Sequence, residues 1–198
     1  MRVAKTCLLA CLVACIAQGA AGQMPSQSKD WPCAQRLVAP LVPGSYWDGP
    51  PVPASSSWRD DEKIFNLAND VVDRDTSDTD AVAKLNTYAD TIPPAERAVH
   101  YPALFGALVD QTNDERAILI DRIEQLGRRQ RAMADTIAKL STLIDSSPPN
   151  PDLTGKRDFD IRVFGETQHT MRYACEAPAN MDRRLGLLAR ALQAKLPK

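Results

Sequence analysis

Residues 114–145 read DERAILIDRIEQLGRRQRAMADTIAKLSTLID. In this stretch Leu119, Ile123, Leu126, Gln130, Met133, Ile137, Leu140 and Ile144 follow one another at spacings of 4, 3, 4, 3, 4, 3 and 4. That is a heptad seam sustained over more than three repeats, and it predicts one long helix. From Asp114 to Asp145 such a helix extends about 48 Å. With Leu119 at d, the e positions are Ile120, Gly127, Ala134 and Ser141. These are small or apolar rather than the charged pairs of an isolated two-stranded zipper. A wide a/d/e stripe predicts packing against two neighbours. Gly127 costs roughly 1 kcal/mol of helix propensity against alanine, which the close approach of another helix would offset.

Working outward, the same periodicity predicts five further helices. One begins near Ser57, where Ser57 and Asp60 resemble a capping box, and carries Ile64, Phe65, Ala68, Val71 and Val72 on one face. Asp73–Asp80 breaks it. A second runs from about Thr79 to Asp90, with Val82, Leu85, Ala89 and Ile92 inward. Pro93-Pro94 stops it and opens a third, which runs to about Gln111 with a kink at Pro102. Thr112-Asn113 is a cap for the long fourth helix. Ser146–Asp152 is a loop. A fifth helix covers about Arg157 to Glu176, and Pro178 opens a sixth bearing Met181, Leu185, Leu188, Leu192 and Leu196. No segment alternates as a strand does. Short loops make neighbouring helices antiparallel, so the third and fifth each cover part of the fourth. The fold class is therefore all-α: an antiparallel helical bundle with one long central helix.

The chain before this bundle has a different character. Residues 23–57 hold seven of the fifteen prolines, with Trp31, Leu37, Val38, Leu41, Tyr46 and Trp47 among them. Prolines deny it the amide donors of a helix or central strand, and its aromatics are too apolar for a plain linker. It reads as an extended strap laid on the helical body of residues 58–198.

Residues 1–22 read as a secretory signal peptide. Arg2 and Lys5 precede an apolar run, Cys7 to Ala17, and small residues follow from Gly19 to Gly22. Eleven apolar residues rise about 16 Å as a helix, short of a hydrocarbon core of roughly 30 Å, so no transmembrane span is expected. Cleavage between Ala20 and Gln23 is preferred over the alternative, a lipoprotein box ending at Cys15. Export leaves two cysteines, Cys33 and Cys175, and an oxidising compartment makes a disulfide between them the expectation. It also leaves 22 basic and 25 acidic residues, a net charge of −3. That balance and the export signal argue against a nucleic-acid partner.

Trp31-Pro32-Cys33 with Gln35-Arg36, followed by Tyr46-Trp47-x-Gly49-Pro50, is similar to the start of small secreted proteins of proteobacteria. Arg128-Arg129-Gln130-Arg131-Ala132 and Tyr173-x-Cys175-Glu176-x-Pro178 resemble later parts of the same group. The resemblance implies a periplasmic helical protein and carries over no catalytic residue and no cofactor.

Chemistry-bearing patterns are sparse. The two histidines, His100 and His169, stand outside any HExxH, any pair of ExxH motifs and any Cys/His cluster. His169 and Met171, two residues apart, point to different faces of a helix and make a poor ligand pair. Asp73-x-Asp75-x-Ser77 opens like a calcium loop, but the sixth position is Asp78 and the twelfth Lys84, so an acidic turn is expected. No GxSxG, phosphate loop or CxxC occurs. Arg128, Arg129 and Arg131 form the densest positive cluster. They are candidate contact residues together with Trp47, and ion pairs to neighbouring helices are the plainer expectation. Two functions follow from these readings. One is an exported, non-catalytic protein, a monomer or weak dimer, that contacts another protein or an envelope component. The other is a small-ligand binder or enzyme with a site between its helices.

Overall fold

A computed structural model describes residues 28–37, 40–54 and 58–197. Residues 1–22, with Cys15, and Ser57 lie outside the described residues. Within them the chain forms four α-helices and no strand: α1 (Glu62–Val72), α2 (Asp78–Ala89), α3 (Arg97–Asp145) and α4 (Pro151–Gln193). Single 3-10 turns occur at Pro43–Ser45, Trp58–Asp60 and Pro94–Glu96.

Local chemistry sets the helix starts. The Asp61 carboxylate caps α1 by accepting from the Lys63 and Ile64 amides. Ser77 caps α2 at the Asp80 amide. Asn150 caps α4 at Asp152 and Leu153, with Pro151 in the first turn where its missing donor costs nothing.

Two expected boundaries are absent. The third and fourth predicted helices are one continuous α3 of 49 residues, and the fifth and sixth are one continuous α4 of 43 residues. Pro102 and Pro178 therefore lie inside helices. A proline there costs about 3 kcal/mol. Buried side chains on both sides offset it: Tyr101, Leu104 and Phe105 around Pro102, and Cys175, Met181 and Leu185 around Pro178. Thr112 and Asn113 do not cap. The Thr112 hydroxyl donates back to the Leu108 carbonyl at 2.6 Å, which leaves the helix intact. The Asn113 amide is used by the strap: its Oδ1 accepts from the Leu41 amide at 2.8 Å and its Nδ2 donates to the Leu41 carbonyl at 2.9 Å.

α3 and α4 form a long antiparallel hairpin whose base carries the core. There Phe105 and Leu108 of α3 meet Leu185, Leu188 and Leu192 of α4, Val71 of α1 and Leu85 of α2, with Trp47 and Trp58 closing the edge. A smaller cluster further along holds Ile123 and Met171 beside Cys33 and Cys175. Beyond it, from Arg131 through Thr170, no described residue is buried. The long helix thus has its several neighbours only in its first half. Among the described residues its second half has α4 alone, and Met133, Ile137, Leu140 and Ile144 are half-buried.

The strap runs antiparallel to α3. Leu41 lies at Asn113, Cys33 in the cluster with Ile123, and Asp30 at Arg128 and Arg131. Gly127 is the point of closest approach, and the strap rather than a helix makes it. A Cβ added there would stand 2.6 Å from the Asp30 carbonyl oxygen and 3.2 Å from Pro32. Gly127→Ala is therefore expected to lower the thermal midpoint, although alanine is the better helix former by about 1 kcal/mol. Calorimetry of the single variant checks the sign.

Candidate functional site

The positive cluster of α3 is a clasp on the strap. Arg128 donates to Asp30 Oδ2 at 3.0 Å and Arg131 to Oδ1 at 2.5 Å. The Arg128 hydrogen bond holds the Asp30 carboxyl below its ordinary range, burial works against it, and the Arg131 charge adds to it. The expected ion pairs exist, but their acid lies on the strap rather than on a neighbouring helix. Arg129 is exposed. One turn below, Cys33 and Cys175 are joined by a disulfide with Cα atoms 5.6 Å apart. The pairing expected from the cysteine count is the one present.

Trp47 is an interior residue rather than a surface contact. It is 7% exposed, its ring stacks on Phe105 at 5.0 Å, and its Nε1 donates to the Pro50 carbonyl. Its neighbour Tyr46 reaches α4. The Tyr46 hydroxyl donates to Asp182 Oδ1 at 2.7 Å, and the Tyr46 carbonyl accepts from Gln193 Nε2 at 2.8 Å. Burial above all, then the Asp182 hydrogen bond and charge, push the Tyr46 phenol up to about 12. Arg116 of α3 is buried beside them. Burial lowers its pKa, and the charges of Asp182 and Tyr46 oppose that.

A folded pKa above the unfolded value gives stability that is complete below the unfolded pKa and lost as pH rises through the folded one. Tyr46 should therefore hold the strap up to about pH 10 and release it as the phenol ionises near 12. The phenolate absorbance difference between the native protein and Tyr46→Phe should rise near the upper value. A rise near the lower one would show an unburied phenol.

Two residues along α4 from Asp182, Arg184 spans the turn between α1 and α2. Its Nε donates to Asp78 Oδ1 at 2.9 Å, one terminal nitrogen donates to the Asp73 carbonyl, and the other donates to the Thr76 carbonyl at 2.6 Å. The Arg184 hydrogen bond holds Asp78 below the ordinary carboxylate range. In sequence nothing separates Arg184 from Arg183, whose contact with Asp78 is 3.5 Å and whose side chain is 62% exposed. Asp30 and Arg116 likewise carry no distinguishing pattern.

A cleft of about 430 Å³ lies between strap residues 43–54 and α3 at Gly106 and Asp110. Its acidic wall residue, Asp110, accepts a hydrogen bond from Trp58 Nε1 at 3.1 Å. Prolines, glycines and Val52 make up most of the remainder. His100 sits on the surface by Glu96, and His169 lies edge-on to Tyr173. Among the described residues no group of three or more His, Cys, Asp or Glu could hold a metal ion. No helix among them is long and apolar enough to cross a membrane. No protein-family model, curated protein or solved structure matches the chain.

The feature with the clearest capacity to act on something else is the outer hairpin, residues 131–165. It projects about 22 Å beyond the smaller cluster. Its seam is half-buried, and Leu143, Phe159 and Ile161 are 46%, 56% and 47% exposed.

Proposed function

We propose that this is an exported, non-catalytic helical protein that works by contact with another protein or with the cell envelope, and that the outer hairpin is its contacting part. The observation that carries this reading is the asymmetry of α3. The same heptad stripe is covered on several sides at the base and, among the described residues, by one helix alone beyond Gln130. An apolar seam held half-open in water favours whatever completes it. The pattern of residues 1–22 and the Cys33–Cys175 disulfide support export to a periplasmic or extracellular space.

Photo-crosslinking groups placed at Ala134 and Phe159 in cells test it, with groups at Asn66 and Thr87 of α1 and α2 for comparison. Defined crosslinked species from the hairpin positions, absent from the comparison positions, are expected. A small molecule that copurifies stoichiometrically and leaves on Trp47→Ala would instead establish the ligand-binding alternative, with the cleft beside Trp47 as its site.

A further inference from the structure

We propose that the partner taken by the outer hairpin is a second copy of this chain, packed hairpin to hairpin into a four-helix bundle. The inference rests on the docking reading above and adds the identity of the occupant.

The charges of the hairpin select it. Residues 131–165 hold five basic residues, Arg131, Lys139, Lys156, Arg157 and Arg162, and five acidic ones at 135, 145, 152, 158 and 160. Its net charge is zero, and both signs occur along both helices. A strongly charged partner finds no field to grip, whereas a like hairpin meets both signs and no net repulsion. The hairpin places Arg157 and Asp160 half-buried on the α4 side of its seam. Its internal ion pairs, Lys156–Asp160 and Arg157–Asp158, join neighbours on one helix, and Arg131 pairs with the strap. Among the described residues no ion pair links α3 to α4 across the hairpin.

The apolar residues fit the same occupant. Met133, Ile137, Leu140 and Ile144 offer one half of a bundle core, and a copy offers the identical half, as a two-fold interface requires. The clasp at Asp30 is the last described strap contact, so beyond Arg131 the described strap covers neither side. The face is about 22 Å long and two helices, or roughly 20 Å, wide. That is roughly 450 Å² per copy, about half of a standard interface, so the dimer is weak and reversible.

Sedimentation velocity of the full, disulfide-bonded chain over a wide concentration range tests this. A monomer–dimer equilibrium is expected. Phe159→Lys and Leu143→Lys, both at exposed positions, should raise its dissociation constant ~10-fold or more with unchanged circular dichroism. Val99→Lys, at an exposed site near the base, should leave it unchanged. A monomer at every concentration overturns the proposal, and so does a dimer indifferent to the two hairpin variants. If that monomer still crosslinks through Phe159 to a different protein, the docking reading stands and the second-copy occupant falls.

Discussion

Replacing Cys33 and Cys175 together by serine is expected to cost the largest share of stability of any change outside the main core. The bond closes a loop over a sequence separation of 142 residues. In the chain-entropy treatment, a loop of that length constrains the unfolded chain by about 5 kcal/mol. Residual structure in the unfolded chain reduces that figure. The folded state should survive, because the strap keeps three other anchors: Asn113 on Leu41, Asp182 on Tyr46 and Phe105 under Trp47. Urea unfolding followed by circular dichroism should thus show the native helical signal at zero denaturant and a much earlier midpoint. The same shift should follow reduction of the native protein. An unchanged midpoint after verified reduction would mean that the packing of Trp31, Ile123 and Met171, with the Asp30 clasp, fixes this end of the strap.

Arg184→Ala is expected to cost about 3 kcal/mol. The guanidinium satisfies two backbone carbonyls of the α1–α2 turn and one carboxylate, and it is only 15% exposed. Without it the Asp73 and Thr76 carbonyls lose their donors and Asp78 loses its closest cation. For a domain of this size the loss lowers the thermal midpoint by roughly 6–12 °C. Arg184→Lys should recover little, since an ammonium cannot span three acceptors with a planar fork. Arg183→Ala, one residue away and exposed, should stay within about 0.5 kcal/mol of the native protein. Equal losses at 183 and 184 would show that general positive charge near the turn matters, not the fork.

The long helix is legible because its heptad spacing holds over seven successive intervals, and periodicity survives whatever surrounds it. Its true length is not. Thr112-Asn113 is a local start signal, and tertiary contacts override it. Burial around Pro102 outweighs a missing hydrogen bond, and Asn113 serves the Leu41 backbone 72 residues away. Pro178 was misread for the same reason. Gly127 did announce a close approach, but only the fold reveals that Asp30 and Pro32 make it. The arginine cluster was visible as a cluster, whereas its acid lies 98 residues from Arg128. Counting cysteines located the disulfide because only two lie beyond residues 1–22. Arg184 had no signal at all: its role depends on which flank of α4 turns toward the α1–α2 turn.

The placement of the disulfide also decides what a protease can do. The turn at 146–150 joins the two long helices at the exposed tip, and it lies between Cys33 and Cys175 in the chain. A cut there opens the backbone without dividing the molecule. The fragment bearing the strap, α1, α2 and α3 stays covalently attached to the fragment bearing α4. Nicked protein therefore migrates as a single species until a reductant separates it into two.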